Sequence, residues 1–410
     1  MKKLGLGILI VSILVVAGAV LAAVNSPTGQ RVYVLTDNSV VKTILGVNQE
    51  FPGVFSTEVS PQLKALKALG LIKTEPVQIY VITGKPVCGN GIIDRGENCE
   101  LGLPGCPTGY VCENCKCVEE TVPPERSCYP STPKPWGIGK VNGGSDGAGV
   151  KVAVLDTGVY KDHLDLKGNV IDCKDATKVG IRDGCADNNG HGTHVAGTVL
   201  ANGGADSLGI YGVAPKASLM AIKVCGNVWC WGDDIAAGIR YAAGKGANII
   251  SMSLGGDSPD SQIKSAVDYA VDAGVLVVAA AGNDGDTDGY GSVDYPGAYP
   301  NVVAVGAIDS SNNLAYFSSL GRSDCTSGDQ EGCVELVAPG VDIESTWNSG
   351  CYNTISGTSM ATPHVAGVAA LMWTGNSTTT RAALRASALN LVGMSFPEQG
   401  YGLVQYLLTP

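Results

Sequence analysis

The stretch Ser356-Gly357-Thr358-Ser359-Met360-Ala361-Thr362-Pro363-His364 sets a small hydroxyl residue between glycine and an apolar, Ala-rich run that reaches Trp373. Such a run predicts a helix with Ser359 at its start, where unpaired N–H groups and the positive dipole end favour an oxyanion. A serine hydroxyl is a weak nucleophile until a base takes its proton, another group orients that base, and a donor meets the developing charge. Three upstream stretches carry those residue types. Val152-Ala153-Val154-Leu155-Asp156-Thr157-Gly158-Val159 reads as a buried strand ending in a carboxylate, the end at which chemistry gathers in parallel α/β sheets. Asn189-Gly190-His191-Gly192-Thr193-His194-Val195-Ala196-Gly197 leads through glycine into a small-residue helix headed by His191. Val277-Val278-Ala279-Ala280-Ala281-Gly282-Asn283-Asp284 is a second buried strand that ends in a side-chain amide, and Asn283 can donate to an oxyanion. Singly these are an Asp closing a strand, a His capping a helix and a Ser in a Gly turn. Their joint occurrence points to nucleophilic catalysis.

The elements that must position them follow from pattern. From Cys128 onward, apolar strands alternate with small-residue helices, which predicts an α/β fold with a doubly wound parallel sheet. Candidate strands are Lys151 to Leu155, Ser218 to Val224, Asn248 to Met252, Val275 to Ala279 and Val302 to Ala307. Upstream, Arg31 to Leu35 alternates like a strand, Ser60 to Gly70 reads as a capped amphipathic helix, and Val77 to Ile82 is a further strand. Together these predict a small α+β domain. Between the two lies a cysteine-rich module, Cys88 to Cys117, with Thr121-Val122-Pro123-Pro124 as a linker.

The chain has 14 cysteines, an even number that suggests an oxidised, exported protein. Cys112, Cys115 and Cys117 have spacing that could hold zinc, but export favours three disulfides in the module, with fifteen pairings open. Among the other cysteines, closeness in sequence pairs Cys173 with Cys185, Cys225 with Cys230 and Cys325 with Cys333. Elimination leaves Cys128 to meet Cys351. The N-terminus agrees with export: Lys2-Lys3 precede an apolar run to Ala23, with small residues suited to cleavage. At roughly 20 residues that run is also long enough to span a bilayer, so an uncleaved anchor is the alternative. A net charge of -11 excludes phosphate-backbone binding as the working mode, so no nucleic-acid partner is expected.

The motifs D-T-G at Asp156, H-G-T-H-V-A-G at His191, A-A-G-N ending at Asn283 and G-T-S-M-A-T-P-H around Ser359 are similar, in kind and in order, to those of the subtilisin-like serine proteases, the subtilases. The resemblance runs from about Trp136 to Val404. It implies a secreted serine endopeptidase in which Ser359 attacks a peptide carbonyl, His191 takes and returns the proton, and Asp156 orients His191. Asn283 and the Ser359 N–H would stabilise the tetrahedral oxyanion, while His194 and His364 would be structural. It also implies a division into a signal peptide, 1–24; a chaperone and inhibitory propeptide, 25–87; the module and linker, 88–127; and a catalytic domain, 128–410. Polypeptide substrates and the chain's own propeptide are then its partners, and it would act as a monomer. Maturation would fall before the module, near Thr83 to Val87, or after it, near Glu120 to Arg126. The family's primary specificity pocket maps onto Ser253, Leu254, Gly255 and Gly256 against Ala280, Ala281 and Gly282. Its floor is the residue before Tyr295-Pro296, namely Asp294, and a carboxylate there would favour Arg or Lys before the scissile bond.

No catalytic metal is expected. A structural calcium is, because Asp284-Gly285-Asp286-Thr287-Asp288-Gly289 opens like an EF-hand loop, with Tyr290 placed to offer a carbonyl. The match fails at the twelfth position, which is Tyr295 where a bidentate Glu belongs, so a solvated acidic turn is the competing reading. Asp172, Asp175, Asp183 and Asp187 form a second acidic cluster that could serve, and subtilases commonly carry structural calcium. Two other functional readings are weighed. A binding protein that kept the fold as scaffold would be expected to have lost a member of the Asp, His and Ser set, and none is lost. A dedicated processing enzyme would differ only in selectivity.

Overall fold

The computed structural model describes residues 31–35, 41–42, 45–52, 54–68, 72–82, 110–113, 116–119, 128–285 and 289–407. The predicted signal segment and most of the cysteine-rich module lie outside them. The described residues group into two compact units, 1–78 with 178–180, and 79–177 with 181–410.

In the first unit, an antiparallel sheet has the order Glu50–Phe51, Val54–Glu58, Arg31–Val34, Thr74–Pro76. The predicted helix runs Pro61–Ala68, with Ser60 Oγ accepting from Leu63 N–H at its start. Val34, Phe55, Leu63, Leu66 and Ile72 form its core.

The second unit is built on an eight-stranded sheet. Its order is Arg182–Asp183, Val170–Asp175, Ser218–Lys223, Lys151–Asp156, Ile249–Met252, Leu276–Ala280, Val303–Ile308, Leu336–Pro339. All neighbours are parallel except the outermost pair at the Arg182 edge. The five predicted strands are present. Val170–Asp175 was not predicted because its VIDCKD sequence has no buried apolar run. Strand order reverses around Lys151–Asp156, so Asp156 stands at the switch point where a crevice opens outside the carboxyl ends. The helices pack on the sheet in two pairs, His191–Leu200 with Thr358–Leu371 and Gly232–Gly244 with Ser261–Asp272. Thr358–Leu371 is buried along nearly its whole length, which explains why its sequence is apolar all round.

Three smaller pairings complete the unit. Ile343–Thr346 and Tyr352–Ile355 form a hairpin leading to Ser359. Tyr110–Glu113 and Lys116–Glu119 form another inside the cysteine-rich module, with Cys112 opposite Cys117. Ile79–Ile82 is the middle strand of an antiparallel sheet, between Trp229–Trp231 and Leu254–Gly255. Disulfides join Cys128 to Cys351, Cys173 to Cys185, Cys225 to Cys230 and Cys325 to Cys333, the pairing expected from proximity and elimination. Among the described residues, no helix is long and apolar enough to cross a membrane.

Candidate active site

The helix His191–Leu200 begins at His191 itself, because Gly190 adopts φ 110°, a left-handed turn that redirects the chain. Gly192 has no room for a side chain: a Cβ there would lie 2.1 Å from Gly158 O and 3.0 Å from Asp156 Cβ. The two glycines therefore let the helix start abut the turn after Asp156. His191 Nδ1 meets Asp156 Oδ1 at 2.7 Å, and the same oxygen accepts Thr157 N–H at 2.7 Å. Both residues are buried. A carboxylate bonded to Nδ1 makes that nitrogen the N–H donor and leaves Nε2 as the basic nitrogen. Nε2 is buried with no hydrogen-bond partner among the described residues.

Asp187 binds the two loops together. Its Oδ1 accepts from Thr157 Oγ1, Asn189 N and Gly190 N at 2.9 to 3.0 Å, and its Oδ2 from Thr193 N and Oγ1 at 3.0 and 2.6 Å. Buried Lys223 donates to Thr157 O and, at 3.1 Å, to Gly226 O, which braces the far side of the same turn.

Ser359 is the second residue of its helix, after Gly357 as cap. Pro363 has no N–H to give Ser359 C=O, the acceptor four residues back. Ser253 Oγ fills that role, donating to Ser359 O at 2.8 Å, while Ser359 Oγ donates to Ser253 O at 3.1 Å. Thr358 N–H and Thr358 Oγ1 each lie 3.0 Å from Asn283 Oδ1. Because the backbone N–H can only donate, the oxygen of the Asn283 amide must face Thr358. The NH2 group then faces the other way, and Asn283 Nδ2 is buried with no hydrogen-bond partner among the described residues.

Beside Ser359, Gly256 and Tyr295 exchange backbone hydrogen bonds at 2.9 and 3.0 Å, and Asp294 N–H donates to Ala281 O at 2.8 Å. These pairings bring together Ser253, Leu254, Gly255 and Gly256, the strand end at Ala281 and Gly282, and Asp294. Asp294 is buried, with its carboxylate under the Gly282 backbone, where a Cβ would be 2.6 Å from Oδ2. Asp257 and Asp284 bring their carboxylates to it, all within 4.8 Å of one another. Of the expected calcium ligands, Asp286 and Asp288 lie outside the described residues, and the Tyr290 side chain is exposed. The cluster that forms is therefore Asp284 with Asp257 and Asp294, a set sized to share one cation, since calcium holds oxygens at 2.3–2.6 Å.

The second acidic cluster does not converge on a common point. Asp172 accepts from Tyr241, Asp175 from Thr177, Asp183 pairs with Lys174, and Asp187 serves the His191 loop. His194 Nε2 donates to Ile343 O and His364 Nδ1 to Met360 O, each at 2.8 Å. Complete burial lowers the two imidazoles to pKa values of about 3 and about 4.

Motif reading missed the Thr358 contacts with Asn283, the Ser253 hydroxyl and Lys223. It grouped Asp187 with Asp172, Asp175 and Asp183 as a second cluster that could serve calcium. The Asp187-Asn188-Asn189-Gly190 run directly before His191 was the available signal, because Asp and Asn are the residues that bind free N–H groups at helix starts.

Residues 147–402 match the profile of the Subtilase family of peptidases. A subtilisin of Bacillus sp. (strain TA39) is 48% identical over 262 residues, 58% of this chain and 61% of its own length. Subtilisin DY of Bacillus licheniformis is 44% identical over 266 residues, 64% of this chain and 90% of its own length. The chain spans about three-fifths of the length of the Bacillus sp. relative and of the M-protease of Shouchella clausii (strain KSM-K16). Among solved structures, Sphericase superposes with a TM-score of 0.64 at 44% identity, covering 68% of this chain and 99% of that one. A family profile that takes in more than half of the sequence, on a sheet whose strand ends carry Asp156, Ser253 and Asn283 around Ser359, makes this chain a member of the subtilase family.

Proposed function

We propose that the chain is a serine endopeptidase acting on polypeptides, exported and made as a self-processing precursor. The observation that carries the reading is the buried Asp156–His191 pair, with Nδ1 held at 2.7 Å and Nε2 without a hydrogen-bond partner among the described residues. That nitrogen is the base which takes the Ser359 proton as Oγ attacks, and which hands it to the leaving amine. Asp156 keeps the imidazole in the required tautomer and stabilises its cation. The Asn283 NH2 and the Ser359 N–H receive the oxyanion, and Thr358 aims the Asn283 amide. Every group with a role comes from one chain, in keeping with a monomer.

Residues 25–87 act as propeptide. The antiparallel seat of Ile79–Ile82 beside Leu254–Gly255 supports this, since a strand bound there occupies the place of substrate. Export is supported by the apolar leader and by the four disulfides found among the described residues. Asp294, with Asp257 and Asp284 beside it, favours a basic side chain before the scissile bond. Calcium is structural and draws on Asp284, which shares one cluster with Asp257 and Asp294; the other expected ligands, Asp286, Asp288 and Tyr290, follow Asp284 in sequence. The deciding experiment is covalent labelling of the purified mature protein by a fluorophosphonate, with Ser359→Ala as control. Wild type labels and the variant does not; an unlabelled wild type overturns the reading.

A further inference from the structure

Two short strands, Trp229–Trp231 and Leu254–Gly255, flank one extended segment between them. In that slot Val81 stands opposite Trp229 on one side and Gly255 on the other, and Ile82 stands opposite Leu254. A polypeptide substrate lying in the same slot takes the same register. Ser253, the residue before Leu254, has the carbonyl that accepts from Ser359 Oγ at 3.1 Å. The substrate residue opposite Ser253 therefore brings its carbonyl nearest the nucleophile. Antiparallel neighbours run in opposite directions, so the residue opposite Leu254 is the second before the scissile bond. The residue opposite both Gly255 and Trp229 is the third.

Directly opposed residues of an antiparallel pair share a face, and successive residues alternate between faces. Burial along the Trp229 strand alternates in this way: Trp229 is 51% exposed and Cys230 is fully buried. The third substrate residue thus meets the Trp229 indole from one side, while Gly255 has no side chain to set on the other. The hairpin that carries Trp229 is braced. A disulfide joins Cys225 to Cys230, both fully buried, and inside it Gly226 N–H donates to Trp229 O at 2.9 Å. At its base, Val224 and Cys225 N–H donate to Asp156 O at 2.9 and 3.2 Å. An aromatic side chain on so rigid an element has little freedom left to lose when a ligand arrives.

We propose, on the endopeptidase reading above, that Trp229 forms a subsite for the third residue before the scissile bond and selects a large apolar side chain there. Contact with Leu or Phe takes exposed indole surface out of water, which Ala or Ser is too short to do. Cross-strand pairs of this kind favour the large side chain over Ala by roughly two- to fivefold. The contact lies away from the reacting bond and is made equally before and during reaction, so it acts on KM and leaves kcat unchanged.

The test uses the mature enzyme and two peptide sets, one varied only at the third residue before the cut (Leu, Phe, Ala, Ser) and one varied only at the second. Wild type should favour Leu and Phe over Ala at the third residue by roughly two- to fivefold, through KM. Trp229→Ala should abolish that preference and Trp229→Phe should keep most of it. Neither variant should alter the preference at the second residue, which faces the other way. A Trp229→Ala loss shared equally by every peptide is what a merely structural role would give, and it overturns the subsite. So does a wild type indifferent to the third residue, or a preference that survives Trp229→Ala. In each of these cases continued cleavage leaves the endopeptidase reading standing; a wild type that cuts no peptide in either set overturns both.

Discussion

Thr358 holds Asn283 by two contacts to one oxygen, its N–H and its Oγ1 each 3.0 Å from Asn283 Oδ1. An amide fixed in this way has its NH2 oriented before any substrate arrives, and preorganised donors of this kind cost no reorganisation during reaction. Asn283→Ala should lower kcat by roughly 10²- to 10³-fold with KM little changed. Thr358→Val keeps the backbone bond and removes the hydroxyl, so its loss should be smaller and again confined to kcat. A Thr358→Val enzyme with unaltered kcat would show that the backbone N–H suffices to aim the amide.

Asp187 predicts a different pattern, because it touches both loops of the Asp156–His191 pair without belonging to it. Asp187→Ala leaves Thr157, Asn189, Gly190 and Thr193 donors unmet. Bonds to a charged group contribute about 1.5–3 kcal/mol each, and not additively, so a loss of at least about 2 kcal/mol is expected. For a domain of this size that is a fall of roughly 4–8 °C in Tm. Calorimetry with parallel kinetics should show kcat falling alongside Tm, and a variant as stable and active as wild type would rule out the positioning role.

The buried histidines set an acid limit. Folded His194 and His364 have pKa values of about 3 and about 4, below the ordinary 6.5, so the unfolded chain binds more protons between these values. Their contribution is complete above pH 6.5 and is lost as pH falls below it, at about 1.4 kcal/mol per unit for each histidine. The loss ends near pH 4 for His364 and near pH 3 for His194. His194→Gln keeps a donor for Ile343 O but does not titrate. The slope of stability against pH between 6 and 4, from denaturant titrations, should fall by about 1.4 kcal/mol per unit; an unchanged slope refutes the assignment.

Asp257, Asp284 and Asp294 bring three carboxylates within 4.8 Å of one another, so the proposed selectivity and the proposed ion site are tested on the same residues. On peptides differing only before the scissile bond, wild type should favour Arg and Lys, and Asp294→Gly should lose about 10² of that preference. A wild type preferring Phe or Leu ends the idea. Separately, chelator should lower Tm by roughly 5–10 °C if calcium is held at about a hundred times its Kd. Asp284→Asn should reduce that difference, and a Tm indifferent to chelator means no structural calcium.

How much was readable from the residues follows from what each feature depends on. Asp156, His191, Asn283 and Ser359 lie where an apolar run or a glycine turn ends, and such local patterns survive in one sequence. The partner of Ser359 O could not be read, because it depends on Pro363 withdrawing a donor and on Ser253 arriving from a distant strand. Asp187 shows the converse problem: carboxylates gathered for a cation and carboxylates gathered for N–H groups look alike until their neighbours are known. The seat of Ile79–Ile82 is a pairing between segments far apart in the chain, which periodicity does not encode.

The bridge from Cys128 to Cys351 closes a loop with a sequence separation of 223 that contains Asp156, His191 and Asn283 and stops just short of Ser359. A single backbone nick anywhere inside that loop leaves one covalent molecule with all four residues still attached. Damaged and intact enzyme would then migrate together on a non-reducing gel and separate only after thiol treatment. For a protein that works among copies of itself, the first wound is survivable and goes unseen until the bridge is reduced.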